Sequence, residues 1–274
     1  MTSVRTDLAP YLERIGVTPG QPDADTLTGI VQAHITAIAF ENLDPFTGTE
    51  PPTTRDGIER KLVHGRRGGW CFEHNRLLHD VLDDLGYRVT PLVGRVRLGL
   101  DDDAPSTHRS HRLTLVDIDG EPWTADVGFG GTVPFAPLRL AADVEQPTVH
   151  GTYRYRRDDD GVWWLQRRGS GDWRTQYVFD LVPVPDVDFV MGSFFTAHHP
   201  DSGFRNGLTA ARSAHGRRWT LDGRRFTVRH PDGRAEPSEL DTPSRVLETL
   251  ETVFGVDTSG VTGLEARIGE AHFA

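Results

Sequence analysis

Apolar residues recur at intervals of three and four through the first 88 positions of the chain, then at intervals of two as far as about Phe189. The first spacing puts them on one face of a helix, the second on one face of a strand. Four helices are predicted in the first stretch. Asp7 through Ile15 admits Pro10 only in its opening turn and is closed by Gly16. Leu27, Ile30, Val31 and His34 share the face of a second helix, capped by Asp25 or Thr26. Asp56 through Val63 is a third. In the fourth, Cys71 through Leu85, the face is Phe72, Leu77, Leu78, Val81, Leu82 and Leu85, and Gly86 stops it.

The strand-like stretch opens with Val89, Leu92, Val93, Val96 and Leu98, and continues with two strands either side of Asp119-Gly120, a turn of hairpin type. Tyr153–Arg157, Val162–Arg168 and Trp173–Phe179 read as a meander with turns at Asp160-Gly161 and Ser170-Gly171. Several antiparallel strands without intervening helices predict a small barrel or curled sheet. Further on, Thr209 to Arg212 is read as a single helical turn. Trp219–Leu221 and Arg225–Arg229 form a hairpin about Asp222-Gly223, and a last helix runs from Thr242 to Phe254 with Pro243 in its first turn. The predicted class is α+β in three parts: a helical domain over 1–88, an antiparallel β-barrel over 89–198, and an α/β lid over 199–274.

Composition narrows the function. A chain of 274 residues can bury a sizeable core. A net charge of −10 argues against a nucleic-acid surface, which needs a basic stripe. Lys61 is the sole lysine, so the cations are nearly all arginine, a residue suited to phosphate and carboxylate. Arg66, Arg67, Arg217 and Arg218 are candidates to meet phosphates, against simple surface solvation. No run of apolar residues approaches a membrane span. A lone cysteine and no apolar leader fit a cytoplasmic protein. No set of residues has metal-ligand spacing.

That cysteine is where the chemistry concentrates. In Arg67-Gly68-Gly69-Trp70-Cys71-Phe72-Glu73-His74-Asn75 a glycine turn feeds a helix with the thiol in its first turn. The positive end of the helix dipole favours a thiolate there, so Cys71 is either a nucleophile or a small buried apolar residue. His111 opens one strand of the Asp119-Gly120 hairpin and Asp126 sits on the other. Hairpin strands lie about 5 Å apart, so the two can face each other. A Cys–His–Asp set has the parts for a base-activated thiol with an orienting carboxylate. His74, three residues along the helix from Cys71, is the rival base, but no carboxylate accompanies it. Glu41, acidic in an apolar setting, is read as half of a structural ion pair with Arg14. His34 is read as a core histidine.

Together these runs resemble the arylamine N-acetyltransferases. The resemblance rests on the Arg67–Asn75 run, His111, and Trp123-Thr124-Ala125-Asp126-Val127-Gly128-Phe129-Gly130-Gly131. It extends to Tyr11–Gly16, Phe40-Glu41-Asn42-Leu43, and Thr196-Ala197-His198-His199-Pro200 followed by Phe204, covering roughly residues 8 to 210. It implies Cys71, His111 and Asp126 as a catalytic triad. It implies acetyl-coenzyme A as donor, arylamines, hydrazines or arylhydroxylamines as acceptors, and a ping-pong reaction through an acetyl-cysteine. It also implies Phe40, Phe129 and Phe204 in the acceptor pocket, with Ser110, Gly128 and Gly130 along the coenzyme's arm. Ser193-Phe194-Phe195 departs from the Asn-Trp-Tyr common in the family, which bears on acceptor preference. An amide synthase of the same family, or a thiol hydrolase, would use the same triad. The oligomeric state is not legible.

Overall fold

The computed structural model describes residues 8–169 and 171–273. Asp7, expected to open the first helix, and Ser170, expected in a turn, lie outside the described residues.

The helical face pattern is realised at Leu8–Ile15, Ala24–Ala37 and Cys71–Asp84. Leu27, Ile30, Val31, Leu77, Leu78, Val81 and Leu82 are buried together, as their spacing requires. The second helix is capped earlier than expected: Asp23 accepts from the Thr26 N–H at 2.8 Å. The third is a short helix, Arg55–Glu59, passing into a π-helical turn over Arg60–His64. A further short helix at Leu43–Thr47, containing Pro45, carries too few residues for a periodic signal.

The strands are β1 (Phe40–Glu41), β2 (Arg88–Val96), β3 (Arg109–Ile118), β4 (Glu121–Ala125), β5 (Leu138–Arg139), β6 (Gln146–Thr148), β7 (Gly151–Arg157), β8 (Trp163–Arg168), β9 (Trp173–Phe179), β10 (Thr209–Ala214), β11 (Arg217–Asp222), β12 (Arg225–Arg229) and β13 (Ala235–Glu239). Eight of them form one sheet in the order β5-β4-β3-β2-β9-β8-β7-β6. The β3–β4 turn has positive φ at both Asp119 and Gly120, which matches the twist of a tight hairpin. The sheet curls until its edges meet. Gln146 on β6 accepts from the Arg139 N–H at 2.8 Å and donates to the Arg139 carbonyl at 2.9 Å, and Ala142 bridges Tyr155. Inside, Tyr153, Tyr155, Leu165 and Tyr177 on alternating positions fill the nearly closed barrel.

The C-terminal part is larger than the predicted hairpin and helix. Its sheet runs β1-β10-β11-β12-β13, and two helices, Pro243–Thr252 and Leu264–His272, cover it. Thr209–Arg212 is strand, not a helical turn. The alanines that favour helix are overruled by pairing on both sides, with Phe40↔Ala211 and Ala210↔Leu221. Two predicted boundaries blur. The first part contributes β1 to the last part's sheet, and Asp186–His198, within the stretch read as barrel, is helix. Among the described residues no helix is long and apolar enough to cross a membrane.

Candidate active site

The site forms where the Cys71 helix meets the barrel. Cys71 is the first residue of its helix, set up by the preceding turn. A side chain at Gly68 would come 2.1 Å from the Ala39 carbonyl oxygen, so the turn closes only with glycine. Trp70 has extended backbone, and its N–H donates to the Glu73 carboxylate at 3.1 Å, capping the helix start.

Behind this turn lies a buried charge cluster. Lys61 bridges Asp44 at 2.6 Å and Glu73 at 2.7 Å, and Arg67 bridges Glu41 at 2.9 Å and Asp44 at 2.8 Å. Glu41 therefore does form a structural ion pair, but with Arg67 rather than the expected Arg14. Arg67 belongs to the glycine turn itself, which brings its guanidinium to the strand carrying Glu41. Burial pulls the Lys61 ammonium down and Glu73, Glu41 and Asp44 pull it up further, so it stays charged.

His111 lies on β3 with its ring sealed from water. Its Nε2 meets the Asp126 Oδ2 at 2.7 Å, and both side chains are 2% exposed. Cys71 is near enough to interact with the imidazole, and its thiol donates to the Ser110 carbonyl at 3.4 Å. Burial would push the imidazole pKa down. The Asp126 carboxylate and the thiol overcome it, and the value is pushed up to about 10. Burial works against the Asp126 charge in turn, yet His111, Asn75 and the Gly128 N–H hold that carboxyl below its usual range. The structure thus pairs His111 with Asp126 and sets Cys71 near the imidazole, whose charged form is favoured there.

Asn75 lies near the start of the Cys71 helix, where an asparagine usually serves backbone groups. It does more. Its Nδ2 donates to Asp126 Oδ1 at 2.9 Å and to the Arg112 carbonyl at 2.5 Å, and its Oδ1 accepts from Val127 N–H at 2.9 Å. The available signal was its place four residues after Cys71, on the same helix face. His74 is not brought to the thiol. Its Nδ1 meets His34 Nε2 at 2.8 Å and its Nε2 meets the Ala39 carbonyl at 3.1 Å. Tyr11 completes that buried chain on His34 at 2.9 Å, which makes His34 the core histidine it was read as.

The other predicted residues divide. Phe40 and Phe204, 6.0 Å apart ring to ring, share an apolar cluster with Cys71, Trp70 and Phe72. Phe129 packs edge-on against the His111 ring at 4.8 Å and belongs to the barrel core. Gly128 is pressed on Cys71: a side chain there would lie 2.7 Å from its Cα. Gly130 has positive φ and faces Phe40. Ser110 contributes its carbonyl to the thiol.

The fold and this arrangement have clear relatives. A family profile described as N-acetyltransferase matches residues 23–261. An arylamine N-acetyltransferase of Mycolicibacterium smegmatis is 40% identical over 270 residues, covering 96% of this chain and 98% of that one. The Salmonella typhimurium arylamine N-acetyltransferase / N-hydroxyarylamine O-acetyltransferase is 39% identical, covering 97% and 94%. The solved Mycobacterium marinum arylamine N-acetyltransferase superposes with a TM-score of 0.94 at 40% identity, over 97% of this chain and 100% of that one. The same protein has been solved in complex with CoA, with a TM-score of 0.93. The class is therefore acyltransferase. More narrowly, the chain belongs to the arylamine N-acetyltransferase family.

Proposed function

We propose that Cys71 carries an acetyl group from acetyl-coenzyme A to the nitrogen of an arylamine or arylhydrazine, in two half-reactions. The observation that carries this reading is the sealed His111–Asp126 contact at 2.7 Å, with Cys71 near enough to influence the imidazole. His111 takes the thiol proton, and Asp126 steadies the resulting imidazolium. The thiolate adds to the thioester carbonyl, and first-turn N–H groups of the Cys71 helix hold the tetrahedral oxyanion. The C–S bond to the coenzyme breaks, and its thiolate leaves with a proton from His111. An amine then adds to the acetyl-cysteine and passes its proton to His111, and Cys71 is released. A thioester suits this relay because it stays reactive towards amines.

The M. marinum complex with CoA supports coenzyme A as the donor's carrier. Phe40 and Phe204 offer an aromatic wall to an aryl acceptor beside the sulfur, with Phe129 buttressing His111. Gly128 and Gly130 leave room along the backbone for a thin acyl-bearing arm. Cys71→Ala and His111→Ala are each expected to abolish acetylation of an arylamine with the far-ultraviolet circular dichroism unchanged. Iodoacetamide at near-neutral pH is expected to alkylate Cys71 rapidly, and prior acetyl-coenzyme A to block it. Full transfer activity in either variant, or alkylation indifferent to the donor, overturns the reading.

A further inference from the structure

Exposed apolar side chains are gathered on one helix. Of the ten large ones that stand exposed among the described residues, seven lie between Leu181 and Phe195, a concentration that marks an interaction surface rather than ordinary scatter. On the Asp186–His198 helix they are Val187, Val190, Met191, Phe194 and Phe195, with Met191 75%, Val187 70% and Phe194 59% exposed. Steps of three and four residues put them on one stripe. The opposite side of the same helix, Phe189, Ser193, Thr196 and Ala197, is already buried. There Phe189 packs edge-on against Phe72 at 6.5 Å, one residue from Cys71. A helix that buries one side and still offers a second apolar stripe is short of one cover.

The charges at the two ends of the stripe say what that cover is. Asp188 is exposed in the first turn of the helix. Arg205 is exposed at the other end, where its guanidinium donates to the His198 carbonyl at 2.9 Å. Among the described residues neither is ion-paired, although the acids beside Asp188 have found arginines. Asp186 bridges Arg76 at 2.6 Å and Arg112 at 3.1 Å, and Asp180 bridges Arg109 at 2.9 Å. Helix of about 15 Å separates Asp188 from the last turn, so the acid and the arginine cannot meet within one chain. A second copy laid antiparallel brings each of them to its opposite, and it opposes the two helix dipoles as well. A stripe with an acid at one end and a cation at the other is complementary to itself under a two-fold axis.

We propose that the Asp186–His198 helix is half of a two-fold interface between two copies of this chain, with the paired helices antiparallel. The axis passes near Met191, in the middle of the stripe. Val187 of one protomer packs against Phe194 and Phe195 of its partner, with the side chains of each helix set between those of the other. Asp188 meets the partner's Arg205, and by symmetry the pair forms twice. The interface is independent of the chemistry at Cys71, but it braces from outside the helix that holds Phe189 against Phe72.

Sedimentation velocity on the full chain across a concentration series is the test. The parent is expected to sediment as a dimer at the upper concentrations. The double variant Met191→Glu/Phe194→Glu is expected to stay a monomer throughout with unchanged far-ultraviolet circular dichroism, because both side chains are exposed. Exchanging charges reads the orientation. Asp188→Arg and Arg205→Glu are each expected to weaken the dimer roughly tenfold, since two contacts become repulsive. The combined variant Asp188→Arg/Arg205→Glu is expected to recover the parent's affinity, which damage to the helix could not imitate. A parent chain that is monomeric at every concentration overturns the proposal, as does a dimer indifferent to Met191→Glu/Phe194→Glu. Single charge variants that leave the dimer unchanged, or a combined variant that fails to recover it, overturn the antiparallel pairing and the proposal with it. A monomeric parent that floats with phosphatidylglycerol vesicles through Met191 and Phe194 also overturns it, and makes the stripe a membrane face.

Discussion

At the scale of single residues the site is defined by close approaches. Asn75 and Gly128 are the two that matter most besides the proposed triad. Asn75→Ala removes a donor from the buried Asp126 carboxylate and strands the Arg112 carbonyl. Losing such bonds costs about 1–3 kcal/mol each, so kcat is expected to fall roughly ten- to a hundredfold. Steady-state kinetics would show it, with unchanged kcat assigning Asn75 to packing alone. Gly128→Ala places a methyl 2.7 Å from Cys71 Cα and 2.9 Å from Asn75 Nδ2. Neither neighbour can retreat, because one is helix backbone and the other is pinned by three bonds. Overpacking of this kind costs about 1–3 kcal/mol, and a lowered thermal midpoint with slow alkylation of Cys71 is the expected result. The His111–Asp126 contact was legible because a hairpin fixes the separation of two strands, whatever surrounds it. Asn75 was not, since an asparagine near a helix start usually serves backbone groups. Its carboxylate partner comes from residue 126, which no local pattern connects to it.

At the scale of elements, long periodic segments were legible and short ones were not. The Cys71 helix and the barrel strands each bury one face of a regular repeat. Phe40–Glu41, Leu43–Thr47 and β10 depend on partners far along the chain, and local propensity misleads there, as at Thr209–Arg212. The Cys71 helix also carries a pH dependence. Burial lowers the His74 pKa to about 4, against the ordinary value of 6.5. Between those values the unfolded chain binds a proton that the folded chain refuses, so stability falls as pH falls. The slope is about 1.4 kcal/mol per pH unit. Burial also pushes Glu73 up to about 7, despite Lys61, and a raised carboxyl tilts stability the opposite way. The clean measurement is therefore a difference. The unfolding free energy of the parent chain minus that of His74→Gln, from urea titrations, is expected to shrink steadily from pH 6.5 to 4. A pH-independent difference would show that His74 is not titrating in the unfolded chain alone.

At the scale of the whole molecule, the first and last parts of the chain are stitched together across the site. Asn42 donates to the Phe204 and Gly207 carbonyls, both at 2.7 Å, and accepts from the Thr209 N–H at 2.7 Å. It follows β1 directly, so one side chain sets both the strand pairing and the position of the Phe204 segment. Asn42→Ala is expected to destabilise the chain by about 2–4 kcal/mol, since three part-buried partners lose their bonds. It should also raise KM for the arylamine more than KM for the donor. Equal changes in both would separate Asn42 from acceptor binding. This architecture explains why the sequence suggested three parts but could not set their borders, since the contacts that erase them join residues some 160 positions apart. The molecule's single lysine bears on the same chemistry from another side. Lys61 is sunk between Asp44 and Glu73 and kept as an ammonium. If Cys71 carries an acyl group towards amines as proposed, the protein presents almost no competing amine in its own side chains. Self-acylation, the natural hazard of such an intermediate, has nowhere on those side chains to land.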